Sequence, residues 1–252
     1  MSTSKKDDKE VAVIDATPEP EETPNLPVSI QEQIAKELAE QKKYLGALPS
    51  NKIATKGKKF TLPDGQSSAG PFEAIILDYT WFLVHYPGVF NPNSPQQPDC
   101  YAIGREKPDG GELKPDEEVE NPYGENCRDC PKNQWKSDPQ GNGKACKNQR
   151  RLILVPPNFT EESDPMTLYV SPGALKNFDA YVSRLASEHG ILPVQAITEI
   201  SFDPTQTYPS LMFKFVRKHD NMQLAWALRD RGQEVLFRKL ETKESSDGEK
   251  AA

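Results

Sequence analysis

The positions of the cysteines restrict the possible folds of this chain more than any other feature of its sequence. All four cysteines, Cys100, Cys127, Cys130 and Cys146, fall within residues 87–149, a stretch rich in Pro, Gly and Asn and poor in apolar side chains. A loop of that length is uncommon in a compact domain, and it cannot bury enough apolar surface to offset the entropy of ordering it. Something other than a hydrophobic core must hold it together.

The cysteine spacing predicts one structural zinc ion. Cys127 and Cys130 form a Cys-x2-Cys knuckle, Cys146 follows at a zinc-ribbon-like distance, and Cys100 comes from a separate segment. Four thiolates close the coordination sphere, so this zinc would have no catalytic position. An iron–sulfur cluster is the alternative that four cysteines leave open. A thioredoxin-like motif is disfavoured, because the knuckle lies in a polar loop rather than at the start of a helix.

The chain divides by composition into a central domain and two tails. Residues 1–27 hold seven acids, three lysines and four prolines, and they are expected to be a disordered acidic tail, like residues 241–252. Residues 28–46 form a predicted helix, which begins at a capping box of Ser29 and Glu32. Residues 50–240 form the predicted domain.

Within the domain, the pattern of apolar residues predicts an α+β fold. In chain order it indicates strands at 58–62, 72–86, 150–155 and 167–170, a helix at 171–190, strands at 196–202 and 211–216, a short helix near 222–229, and a last strand-like piece at 234–240. An OB-type β-barrel has three strands, a helix and then two strands. We therefore predict an OB-type barrel with a helix between its strands 3 and 4 and a zinc-ribbon-like insertion at about 87–149.

The net charge, the hydropathy and the motifs of the chain restrict the kinds of function that we expect. The net charge is −7, so binding to nucleic acid would need a local basic patch. No apolar run is long enough to span a bilayer and the N-terminus lacks a signal peptide, which predicts a cytoplasmic protein with no membrane partner. Residues 141–144 resemble part of a P-loop but lack its first glycine and its hydroxyl. With no hydrolase motif either, the prediction is a protein that is not an enzyme and has no small-molecule substrate.

A basic, aromatic stretch indicates single-stranded DNA as a partner. Between Cys127 and Arg151 there are seven cations and two acids. Cations that follow phosphates, together with aromatic faces that stack on bases, bind single strands without sequence preference. Trp135 lies in the polar loop and is predicted to stack on a base. The full set of candidate nucleic-acid-binding residues is Lys56, Lys58, Lys59, Trp81, Tyr86, Tyr101, Lys132, Trp135, Lys136, Lys144, Arg150, Arg151 and Lys214.

An acidic segment lies beside this basic stretch. Residues 106–125 hold eight acids and two lysines, so this segment would repel phosphate. With the acidic N-terminal tail, it is a candidate surface for recruiting a basic protein partner.

Three stretches, PDCYAIG, NPYGENCRDCPKNQW and GNGKACKNQRRLILV, give the chain a family resemblance. It resembles the zinc-containing single-stranded DNA-binding proteins of tailed bacteriophages. The resemblance implies an OB fold with a zinc loop, sequence-independent binding in phage DNA replication and recombination, contacts to polymerase or helicase, and a location in the infected host cell. The chain departs from the family in its weakly acidic C-terminus, which leaves open which tail recruits partners. The alternative is a zinc-stabilised protein-interaction subunit of a phage replication or transcription complex that does not bind single-stranded DNA directly.

Overall fold

One long strand organises the structure. The computed structural model describes residues 51–88 and 96–240. A short hairpin of β1 (Phe60–Thr61) and β2 (Ser67–Ser68) precedes β3, which runs from Phe72 to His85. β3 is rich in β-branched and aromatic residues and is buried along almost its whole length, which means that both of its faces are covered.

The other strands form an antiparallel sheet around β3. They are β4 (Cys100–Gly104), β5 (Lys147–Val155), β6 (Met166–Val170), β7 (Ala196–Phe202) and β8 (Leu211–Lys218). The main order is β6-β5-β3-β7-β8. One edge of β3 pairs with β5, whereas its other edge pairs first with β7 and then with β4. Between these two partners, residues 76–80 have no strand beside them on that edge.

Two helices cover the two faces of the sheet. Helix α1 (Leu175–His189) packs Phe178, Tyr181 and Leu185 against one apolar cluster of the sheet. Helix α2 (Met222–Leu236) packs Leu228 and Leu236 against a second cluster, on the opposite face. Both faces of β3 are therefore inside the protein, which explains why its sequence is continuously apolar instead of alternating.

The α+β class is confirmed, with a mostly antiparallel sheet and two helices. The predicted OB-type barrel is not confirmed, because within the described part of the chain β6 and β8 are the ends of an open sheet. The outer edge of β6 carries a parallel bridge from Lys52 to Thr167 instead.

Two local predictions need correction. The last strand-like piece, at 234–240, is wrong: the chain remains helical to Leu236, because Leu228, Gly232 and Leu236 are buried at helical four-residue spacing. Strand β4 was not predicted, because its sequence lies within the polar insertion. The tail and helix predictions for residues 1–27, 28–46 and 241–252 lie outside the described residues. No helix in the described ranges is both long enough and apolar enough to cross a membrane.

Candidate metal centre and nucleic-acid interface

The insertion between β4 and β5 is held to the end of β3 by backbone hydrogen bonds and a few apolar side chains. β4 pairs with residues 81–85 of β3, and Leu113 and Val119 bury themselves beside this part of the sheet. A Cβ at Gly104 would come within 2.5 Å of the Leu113 side chain. Gly104 therefore leaves the space that allows Leu113 to anchor the acidic segment.

All four cysteines are buried in this insertion, with exposed fractions of 6 to 8%. Cys100 is the first residue of β4 and Cys146 directly precedes β5, so two of the cysteines lie at the starts of strands that neighbour β3. The amide of Cys127 donates to Leu113 O, and the amide of Cys146 donates to Lys132 O, each at 2.8 Å. The segments that carry the cysteines are thus tied to one another.

The thiols share one electrostatic neighbourhood. Burial raises the pKa of Cys100 to about 11 and that of Cys127 to about 12, and the charge of neighbouring cysteines adds to both shifts. Burial, and then the other cysteines, also raises the pKa of Cys146. Within residues 51–88 and 96–240, however, no three His, Cys, Asp or Glu side chains are already arranged as a metal-holding group.

The donor set nevertheless fits a soft metal ion. Four buried sulfur atoms belong to the ligand chemistry of tetrahedral zinc, and the described residues form no disulfide among them. Burial raises the pKa of the Cys100 thiol, and the Tyr123 backbone amide lowers that pKa by a smaller amount.

Among the large hydrophobic residues that the structure describes, Trp135 is the most exposed, with 75% of its surface accessible. It lies just after the short 3-10 turn Pro131–Asn133. The next residue, Lys136, is exposed and has a left-handed backbone, with φ of 68°. The chain thus turns at this point, with two exposed residues in succession, and the ammonium group near the indole is that of Lys144, whose Nζ lies 5.8 Å from the centroid of the Trp135 ring.

Several other cations of the loop are already paired with acids. Lys144 Nζ lies 2.6 Å from Asp109 Oδ1, and Lys147 Nζ lies 2.5 Å from Asp138 Oδ2. Lys132 Nζ lies over the ring of Tyr123, 4.9 Å from its centroid. Asp109 of the acidic segment and Asp138 of the basic stretch itself therefore each neutralise one cation of the loop.

Four of the candidate nucleic-acid-binding residues are buried and are corrected here. Trp81 and Tyr101 belong to the packed clusters of β3 and β4. Arg151 is 2% exposed, and its Nη1 donates to the carbonyls of Leu236 and Arg238 at 3.0 and 2.7 Å. Arg150 is stacked on Trp81 and paired with Asp179. Burial removes these four side chains from a surface path for phosphates.

The remaining candidates lie at two separate ends of the sheet. Lys58 Nζ donates to the backbone carbonyl of Asp203, which fixes the basic group of Lys56, Lys58 and Lys59 beside the β7–β8 loop. That loop follows the end of β7 that pairs with the start of β3. Trp135 belongs to the insertion at the other end of β3. A 14-residue strand spans roughly 45 Å if straight. Tyr86 is exposed near the insertion, and Lys214 is exposed on β8.

Sequence reasoning missed a buried carboxylate network. Asp78 accepts two hydrogen bonds from Arg105, at 2.9 and 2.7 Å, and further bonds from Arg229 Nε and Gln233 Nε2. The signal was present, since Asp78 is an acid in the middle of a largely apolar strand, and buried acids need partners. Burial alone would raise the pKa of Asp78, but hydrogen bonds from Arg105, Gln233 and the Tyr79 amide outweigh it and lower that pKa.

This network predicts an acid-dependent loss of stability. A lowered folded-state pKa stabilises the protein above the unfolded pKa of about 4, and the contribution disappears as pH falls through the folded value. Asp78→Asn is expected to lower the free energy of unfolding at pH 7 by about 1.5 kcal/mol, the lower end for charged hydrogen bonds, because Arg105 can regain water. Urea unfolding at pH 7 and pH 3 measures this, with Asp220→Asn as an exposed control. An equal deficit at both pH values would contradict it.

No protein family model, no curated protein and no solved structure matches this chain. The function must therefore be argued from the residues themselves.

Proposed function

We propose that this protein binds single-stranded DNA without sequence preference, and that a structural zinc ion orders the loop that does so. The observation that carries the proposal is Trp135, a tryptophan left 75% exposed at a turn beside an exposed lysine. An exposed indole does not contribute the free energy that its burial would give to folding, and stacking on a base is a function that accounts for its exposure. The resemblance to phage proteins suggests a role in phage DNA replication and recombination.

The strand order supports an OB-like interpretation of the binding face. Three strands (β3, β5, β6), helix α1 and two strands (β7, β8) follow in the order of an OB fold, which is itself a partly open barrel. In OB folds the loops after strand 1 and strand 4 contact the oligonucleotide. The corresponding loops here carry Trp135 at one end of the sheet and exposed Tyr208, with the Lys56–Lys59 group, at the other. Because helices cover both faces of the sheet, a DNA strand would have to run along the outside of the domain, over roughly 45 Å, to meet both basic groups.

The zinc ion in this proposal has a structural role. Cys100, Cys127, Cys130 and Cys146 would hold it as a closed set of four thiolates, which leaves no position for substrate. Since the insertion buries few apolar side chains, the metal would supply most of the free energy that fixes the turn at Trp135.

The second candidate function is a zinc-stabilised protein-interaction subunit that does not bind DNA directly. The ion pairs of Lys144 with Asp109 and of Lys147 with Asp138 favour it, because they remove two cations from the surface that DNA would use. Trp135 would then contact a protein partner.

Titration of fluorescent oligo-dT with the full-length protein across a salt series separates the two. DNA binding predicts that affinity falls steeply with salt, and that Lys136→Ala flattens the log–log slope by about 0.7, the value for one phosphate contact on a single strand. Lys107→Ala, an exposed lysine of the acidic segment, is the matched control and should leave the slope unchanged. The absence of any binding at low salt would exclude the first function and favour the second.

A further inference from the structure

A cavity of about 280 Å³ lies where β3 has no strand partner on one edge. Residues 76–79 of β3 form one wall, beside the bulge in its pairing with β5. The segment Leu192, Pro193 and Val194, which leads into β7, forms an apolar wall. The cavity therefore lies at the gap that β7 and β4 leave along this edge of β3.

Three arginines from different elements line this cavity. Arg105 follows β4, Arg150 lies on β5, and Arg229 lies on α2. The one carboxylate in the lining is Asp78. Asp179 lies outside the lining and pairs with Arg150, so the three arginines and these two carboxylates leave one positive charge in excess, in a partly enclosed space where such an excess is costly.

The carboxylate is saturated, but the arginines are not. Asp78 receives hydrogen bonds from Arg105, Arg229, Gln233 and the Tyr79 amide. Arg229 uses only its Nε on Asp78, so within the described residues its two terminal nitrogens bind no acceptor.

Arg150 is the second source of unused donors. Its side chain is nine-tenths buried, and its Nη2 donates to Asp179 at 3.2 Å. Its Nε is buried without a hydrogen-bond partner in the described part of the protein. A buried, unsatisfied donor of a charged group costs stability, and the residue that carries it lines the cavity.

We propose that this cavity binds a phosphate group, either as a free ion or at the end of a phosphomonoester. Guanidinium forks match the geometry of phosphate oxygens. A terminal phosphate group presents three acceptor oxygens, which suits donors that come from three different arginines. An internal phosphodiester or a carboxylate presents only two such oxygens and would leave more of these donors without an acceptor. This site does not depend on DNA binding by the Trp135 loop.

Thermal unfolding of the full-length protein in inorganic phosphate, at ionic strength held constant with NaCl, tests the proposal. The midpoint of unfolding is expected to rise saturably at millimolar phosphate, because a ligand that binds only the native state stabilises it. Arg229→Gln is expected to weaken phosphate binding at least tenfold, and Arg105→Gln should act in the same direction. Arg184→Gln, on the exposed face of α1, is the matched control and should respond like the wild type.

A second variant covers the case in which losing an arginine destabilises the Asp78 network. Leu192→Trp places a large ring at the exposed rim of the cavity without removing any charge. It should fold normally and lose the saturable response. If the wild type shows no more stabilisation by phosphate than by chloride, or if Leu192→Trp and Arg229→Gln respond like Arg184→Gln, the proposal is overturned.

The two sources of phosphate are distinguished with oligo-dT that carries either a 5′-phosphate or a 5′-hydroxyl. Tighter binding of the phosphorylated strand by tenfold or more, lost in Arg229→Gln, would assign the cavity to a DNA end. Equal binding of both strands, with a saturable response to inorganic phosphate, would assign it to a small phosphate compound. Because inorganic phosphate is measured separately, a failure of DNA binding does not affect the result for the cavity.

Discussion

Protein purified under reducing conditions and without a metal-binding tag is expected to contain one zinc ion per chain, and Cys127→Ser is expected to lose it. Zinc binding in small structural sites is worth about 10–16 kcal/mol, far more than the few buried apolar side chains of the insertion can replace. The loop between β4 and β5 should therefore unfold. The sheet and its helices should remain folded, because their apolar clusters around Phe178 and Leu228 lie outside the insertion.

Elemental analysis and limited proteolysis of the same sample measure the two effects. The wild type should resist cleavage within residues 105–146, whereas Cys127→Ser, or the wild type treated with a strong chelator, should be cut there while the rest of the domain survives. Asp129→Asn changes an exposed acid inside the knuckle and should retain both zinc and resistance. Iron with visible absorbance would favour a cluster instead, and a metal-free but resistant wild type would contradict the metal site.

Trp135→Ala is expected to weaken oligo-dT binding about five- to a hundredfold, because stacking on one base is worth about 1–3 kcal/mol. The salt slope should stay almost unchanged, since no phosphate contact is removed. Trp226→Ala, which removes another partly exposed tryptophan, on α2, is the matched control and should bind like the wild type. Fluorescence anisotropy with labelled dT at two salt concentrations measures both quantities.

The alternative role for Trp135 is that of a small hydrophobic plug in the zinc loop. Its exposure in the structure disfavours this role, because a plug would be buried. If it were a plug, Trp135→Ala would lose zinc and affinity together. Measuring zinc content on the sample used for binding separates the two cases, and a zinc-replete Trp135→Ala protein that binds like the wild type would refute stacking.

The sequence predicts the regular elements well where apolar periodicity is strong. Helix α1 ends at Gly190, whose backbone is left-handed, and the strand expected at 72–86 forms as Phe72–His85. It fails for β4, because Cys100 and the residues after it are recruited into the sheet by pairing with the end of β3, a long-range contact that no local pattern reports. The sequence also does not predict that the sheet is open, because closure into a barrel depends on whether the edge strands β6 and β8 pair with each other.

For the candidate site, the sequence predicts exposure correctly where it depends on neighbours along the chain, and fails where it depends on residues that are distant in sequence. Trp135 is exposed as predicted, because nothing apolar near it in sequence could bury it. Arg150 and Arg151 were expected at the surface because arginines usually are, yet both lie on β5, where neighbouring aromatic rings can accept a guanidinium. Whether a cation is free also depends on distant acids such as Asp109, whose pairing with Lys144 spans 35 residues.

The contact of Arg151 with the end of helix α2 makes residues 236–238 necessary to the sheet. Its buried guanidinium binds the carbonyls of Leu236 and Arg238, so this turn of the chain completes the solvation of a charge on β5. A chain cut before residue 238 would leave that charge short of acceptors in a low-dielectric interior. The end of α2 is therefore an electrostatic requirement of β5, and any truncation or fusion must keep these two carbonyls.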